Sequence, residues 1–162
     1  MVRGYLALAR GLDRLTLWLA MAAGGTLVLM VLLNVVLRYG FGTGSIKMQD
    51  LAAYAFSVLL ILAVPLCHAR AGHVRVEVLS ERLSPRYMWL ADWAAWALFL
   101  VPVFGLIVWA GWSEIVFSWQ IGEGSTTPGG LGGMYLVKTA LPVAAVLMII
   151  QGLAAVLRGP EA

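Results

Sequence analysis

One cysteine, two histidines and 12% charged residues leave little reactive chemistry in this 162-residue chain. Cys67 cannot close an internal disulfide, build a thiolate cluster or run paired-cysteine redox chemistry, so it reads as a small apolar residue. His68 and His73 fall in one short stretch. A b-type haem needs imidazoles from facing helices, which argues against them as haem ligands and favours surface hydrogen bonding. No Ser-His-Asp arrangement and no metal-ligand spacing occurs. The glycine-rich segment 113–133 holds no basic residue and no G-x-x-x-x-G-K-[ST] pattern, so it is not a phosphate loop of the nucleotide-binding kind. These absences exclude most enzyme classes, and no catalytic residue, metal ligand or cofactor is expected.

What is abundant is apolar surface: 62% of residues are hydrophobic, and the mean hydropathy is +0.91. Lipid is the solvent such a composition implies. Four stretches are long enough to cross about 30 Å of hydrocarbon: 15–37, 48–66, 89–112 and 134–157. Apolar residues run continuously in them, which excludes a barrel's alternation, and backbone groups in lipid must bond internally, so each is expected to be a helix. The reading is therefore an all-α integral membrane protein forming a single membrane domain over 1–162, with four transmembrane helices. The first stretch follows Arg3, Arg10 and Arg14 in the charge order of a secretory signal but is longer than a signal core. It reads as a retained anchor, with Ala20 and Ala22 the small residues a cleavage site would use.

The net charge of +3 is scattered over loops instead of gathered in a stripe, so no nucleic acid is implicated. Its distribution sets an orientation. Arg3, Arg10, Arg14, Arg70, Arg75, Arg82, Arg86 and Arg158 fall on one side, whereas Arg38, Lys47 and Lys138 fall on the other. This bias of eight to three predicts both termini in the cytoplasm. Trp18, Trp89, Trp93, Trp109, Trp112 and Trp119 lie near span ends, where interfacial tryptophans gather.

Between spans two and three, residues 73–84 read HVRVEVLSERLS and fit two patterns. Val74, Val76 and Val78 alternate as in a strand, while Val76, Leu79 and Leu83 make a helical stripe. A lone strand would have no partner, which favours a short amphipathic helix on the membrane surface, ended before Pro85. Residues 5–13 are open to a similar reading.

Intramembrane ionisable groups mark ion and substrate paths because they are costly there. Here Asp92 sits near a span end, where boundary placement competes with an ion-path role. Lys138 lies one turn into span four, from which it can snorkel. Asp50, at the start of span two, is expected to cap that helix, where a carboxylate also offsets the macrodipole. Asn34, Ser57 and Gln151 are uncharged and suited to hydrogen bonds between helices or to a second subunit. The segment 113–133, with Glu114, Glu123 and six glycines around Pro128, is expected to turn sharply.

Five segments in order carry a more specific signal: NVVLRYGF (34–41), IKMQDLAAYAF (46–56), HARAGHVRVEVLSERLSPR (68–86), SWQIGEGSTTPGGL (118–131) and KTALPVAAVLMIIQGLAAVLR (138–158). Together they resemble the small membrane subunit of tripartite ATP-independent periplasmic (TRAP) transporters, the DctQ-like small permeases, over nearly the whole chain. The resemblance implies a multi-pass protein of the bacterial inner membrane. It would pair with a large membrane subunit and a periplasmic substrate-binding protein in a symport of organic acids driven by a sodium gradient. The small subunit would brace the large one and hold no substrate site. The binding protein would dock at Glu123, Gly124, Ser125, Pro128, Gly129 and Gly130, while Asn34, Arg38, Asp50 and Gln151 are candidates for contacts between helices or subunits. The GEGS and PGGL elements look like the branch associated with 2-oxo acids. Where many relatives carry Trp and paired Glu, this chain has Met48, Gln49 and Asp50. Two other readings compete: an autonomous small transporter with Asp92 or Lys138 in its path, and a haem or quinone redox protein.

Overall fold

In a computed structural model, residues 2–70 and 85–158 are described. They contain helices and no strand; a lone antiparallel bridge joins Gly124 to Gly132. Helix α1 spans Val2–Phe41, α2 Ile46–Ala69, α3 Pro85–Ala95, α4 Val101–Gln120 and α5 Met134–Arg158, with a π-helical turn Trp96–Leu100 joining α3 to α4. Four continuous helical stretches are long and apolar enough to cross a membrane: Val2–Phe41, Ile46–Ala69, Arg86–Gln120 and Met134–Arg158. The chain is a multi-pass transmembrane protein. The surface helix expected over 73–84 lies outside the described residues.

Two helices extend well beyond the stretches the sequence marks. Residues 5–13 do not form a separate helix, because α1 runs unbroken for 40 residues, about 60 Å at 1.5 Å per residue. That is twice a hydrocarbon core, so the polar first turns carrying Arg3, Arg10, Asp13 and Arg14 continue beyond the apolar stretch. No Pro interrupts them, and a surface helix needs a break to bend away. The third stretch also runs past 112, to Gln120, where a Schellman turn ends it. The Glu123 amide bonds to the Ser118 carbonyl at 3.0 Å and the Gly122 amide to Trp119 at 3.3 Å, with Gly122 at φ +58°. This is the left-handed position that glycine fills without strain.

The π turn has a local cause. Pro102 has no N–H to donate four residues back, and the Val101 amide instead bonds Trp96, five residues back. Pro65 and Pro142 sit inside α2 and α5 and likewise each remove one backbone bond without ending the helix, as transmembrane helices tolerate.

Helix α5 is the centre of the bundle, packing against α1, α2, α4 and the π turn. Half of its most apolar stretch is buried, against none in the third helical stretch. Small residues allow this: Ala144, Ala145, Gly152 and Ala154 are buried on α5, and Ala52 and Ala55 on α2. At Gly152 an added Cβ would meet Leu100 at 2.8 Å and Trp96 at 2.9 Å, so the π turn seats directly on the α5 backbone. Between transmembrane helices, close approach and dispersion replace the hydrophobic effect as the source of cohesion. Trp96 adds an indole hydrogen bond to the Ile149 carbonyl at 3.1 Å.

Candidate functional site

At the end of the bundle where α1 turns into α2, residues 121–133 fold back over the helix tips, held by side chains from three helices. The Leu131 peptide is the anchor. Its amide donates to Asp50 Oδ2 at 2.9 Å. Its carbonyl accepts from the Ser125 amide at 2.8 Å and from the Tyr54 hydroxyl at 2.9 Å. Asp50 and Tyr54 are one helical turn apart and so share a face of α2. Gly130 lies against this clamp: a Cβ there would fall 2.7 Å from Ser125 Cβ and also on Asp50 Oδ2.

The second anchor is ionic. Lys138 Nζ, on the first turns of α5, lies 2.6 Å from Glu123 Oε2 and 3.0 Å from Glu114 Oε1. Ser118 donates its hydroxyl to the same Glu123 oxygen. The Lys138 ammonium and then the Ser118 hydroxyl hold the Glu123 carboxyl below its ordinary range, because both favour the charged form. Thr139 and Trp119 close the edge, the indole donating to Thr139 Oγ1 at 2.9 Å while the ring packs on Tyr135 with centroids 4.6 Å apart.

The sequence candidates distribute as follows. Glu123, Gly124, Ser125 and Gly130 are half-buried in the loop's base, while Pro128 and Gly129 are exposed at its tip. Gly129 adopts φ +75°. The Thr127 amide donates to Ser125 Oγ at 3.2 Å, so Ser125 shapes the tip from within. Asp50 does not cap α2. Ser45 does so, accepting from the Met48 amide at 3.4 Å, and Asp50 lies one turn deeper, too far along to serve the first free amides. Asn34 accepts from the Ser45 amide at 3.4 Å and ties α1 to the α2 cap. Arg38 is exposed. Gln151 lies at the opposite end, its amide donating to the Ala9 carbonyl at 2.9 Å. Ser57 bonds within its own helix to Ala53. Asp92 is half-buried and lines, with His68, Trp96 and Gly152, a cavity of about 190 Å3.

Sequence reasoning missed Tyr54, Ser118 and the pairing of Lys138. A signal existed for the last: Lys138 is a lone cation beside a loop with two carboxylates and no base. Among the described residues no group of three metal-ligating side chains gathers.

These features define a small polytopic membrane protein in which Asp50, Glu114, Glu123 and Lys138 secure its own loop. Residues 27–161 match the family described as tripartite ATP-independent periplasmic transporters, DctQ component. The chain belongs to that family, the small membrane subunits of TRAP transporters. It is also similar to a TRAP transporter small permease protein of Haemophilus influenzae, 40% identical over 57 residues. That match covers 35% of this chain and 35% of the relative.

Proposed function

We propose that this chain is the small subunit of a sodium-coupled TRAP transporter for organic acids such as 2-oxo acids, bracing a large transport subunit in the bacterial inner membrane. Family membership over residues 27–161 carries the reading. The polar groups support it, since Lys138, Glu123 and Asp50 each hold the loop and do not line a path through the bundle. Both termini face the cytoplasm in this reading, as the bias of basic residues favours. The loop then faces the periplasm, where a substrate-binding protein meets its exposed tip, 126–129. Glu123, Gly124, Ser125 and Gly130 preform that tip, which lowers the entropy lost on docking. The protein's own role is structural, without catalysis or cofactor.

Extraction of the tagged chain in mild detergent tests the assignment. A large polytopic membrane protein recovered in stoichiometric amount is the expected result. Recovery of the folded chain alone, with organic-acid uptake by it in liposomes, would favour the autonomous-transporter reading. Docking is tested separately by Thr126→Asp with Pro128→Ala. These changes leave the base of the loop intact and should weaken binding-protein-dependent uptake while the large subunit still co-purifies. Unchanged uptake at limiting binding protein would remove the docking role.

A further inference from the structure

The end of the bundle where α1 begins and α5 ends holds a cavity between α1, α2 and α5. Leu6, Ala9, Arg10, Asp13, Ala69, Gln151 and Arg158 line about 460 Å3 there, a volume within the common range for small-ligand sites. Two kinds of polar residue line it. Arg10 and Arg158 supply cationic donors at the rim; Arg10 commits Nε to its own helix at Leu6, 3.3 Å away, which leaves its terminal nitrogens, and neither arginine makes an ion pair among the described residues. The others are acceptors. Gln151 is 2% exposed; its Nε2 is used by Ala9, while its Oε1 is buried and has no hydrogen-bond partner. Asp13 Oδ2 lies 3.6 Å from Arg70, and Asp13 Oδ1 is buried without a hydrogen-bond partner. A buried acceptor left unmatched costs free energy and signals an absent donor.

The depth is that of a headgroup. Ala9 to Asp13 precede the apolar part of α1, whereas Ala69 and Arg158 end α2 and α5. We propose that this cavity holds the headgroup of an anionic phospholipid bearing hydroxyl donors, of the phosphatidylglycerol type. The phosphodiester sits between Arg10 and Arg158, and small rotations of the Asp13 and Gln151 side chains bring their buried oxygens to accept from the glycerol hydroxyls beyond it. Charge agrees: the lining of Arg10, Arg158 and Asp13 sums to +1, against one negative charge on the lipid. Basic pockets between transmembrane helices take such headgroups, and the orphaned acceptors select one that carries donors. A phosphocholine has none to offer.

Native mass spectrometry of the full-length chain, stripped of lipid and returned to detergent with equal phosphatidylglycerol and phosphatidylcholine, tests this. Phosphatidylglycerol should be retained about tenfold over phosphatidylcholine, the factor that one charge-assisted hydrogen bond supplies. Arg10→Gln with Arg158→Gln should weaken retention of both lipids, Asp13→Leu should remove the preference between them, and Lys47→Gln, at the other end, should change neither. Equal retention of the two lipids by the wild-type chain, retention unchanged by the double arginine substitution, or a preference that survives Asp13→Leu would overturn the proposal. Displacement of the lipid by millimolar glycerol phosphate would assign the cavity to a soluble phosphoester and overturn its lipid source. Failure of glycerol phosphate to compete supports the lipid.

Discussion

Gly130→Ala isolates the loop clamp, because its effect is steric and not conformational. Gly130 does not occupy a positive-φ conformation, so alanine is tolerated by the backbone, but its Cβ would collide with Asp50 Oδ2 and lie 2.7 Å from Ser125 Cβ. Asp50 must then move and release the Leu131 amide. Losing a hydrogen bond to a charged group costs about 1.5–3 kcal/mol, and residual crowding against Ser125 adds about 1 kcal/mol or more. A total near 3 kcal/mol corresponds to about a hundredfold faster hydrogen exchange at the Leu131 amide, where local opening limits exchange. Exchange should be measured by mass spectrometry in detergent for Gly130→Ala, Asp50→Ala and the double variant. Because the glycine substitution acts largely through Asp50, the double should cost clearly less than the sum of the singles. Gly111→Ala, where nothing lies within 4 Å of the added carbon, is the matched control. Wild-type exchange in Gly130→Ala, or strict additivity in the cycle, would refute the reasoning.

Lys138→Met removes the ion pairs to Glu123 and Glu114 and should give several-fold faster proteolytic cleavage within 121–133, with helical circular dichroism unchanged; equal cleavage would show that the Leu131 clamp suffices alone. Glu123 has its pKa lowered on folding, so its contribution is complete above the ordinary carboxylate value of about 4.3 and is lost as pH falls through the lowered value. Protection of the loop amides should therefore stay flat from neutral pH to about 5 and fall only in stronger acid; a fall between 7 and 5 would count against the Lys138 contact, and Glu123→Gln should shrink the acid transition. Gly152→Ala forces Trp96 and Leu100 away from α5 and should cost about 1–3 kcal/mol, seen as a lower melting temperature with altered tryptophan emission; unchanged melting would mean that the π turn gives way freely.

The number and nature of the spans were legible in the sequence because a continuous apolar run must satisfy its backbone within itself once water is gone. Motif order conveyed the family in the same way, and the glycines and Pro128 marked the loop as a place of sharp turns. Side-chain pairing was not legible. The sequence suggested a macrodipole role for Asp50 and snorkelling for Lys138, since each sits near a helix end where either suffices by itself. Only the packed bundle brings Asp50 to Leu131, Lys138 to Glu123, and Gln151 to Ala9 at the other end. The central place of α5 was likewise a tertiary fact. The physical reason is shared. Helices apolar on nearly every face carry little record of which face turns inward, because lipid tails solvate leucine as well as a neighbouring helix does. Rotation and partner choice are then set by where small residues permit close approach and where the few polar groups find one another, which only the assembled bundle decides.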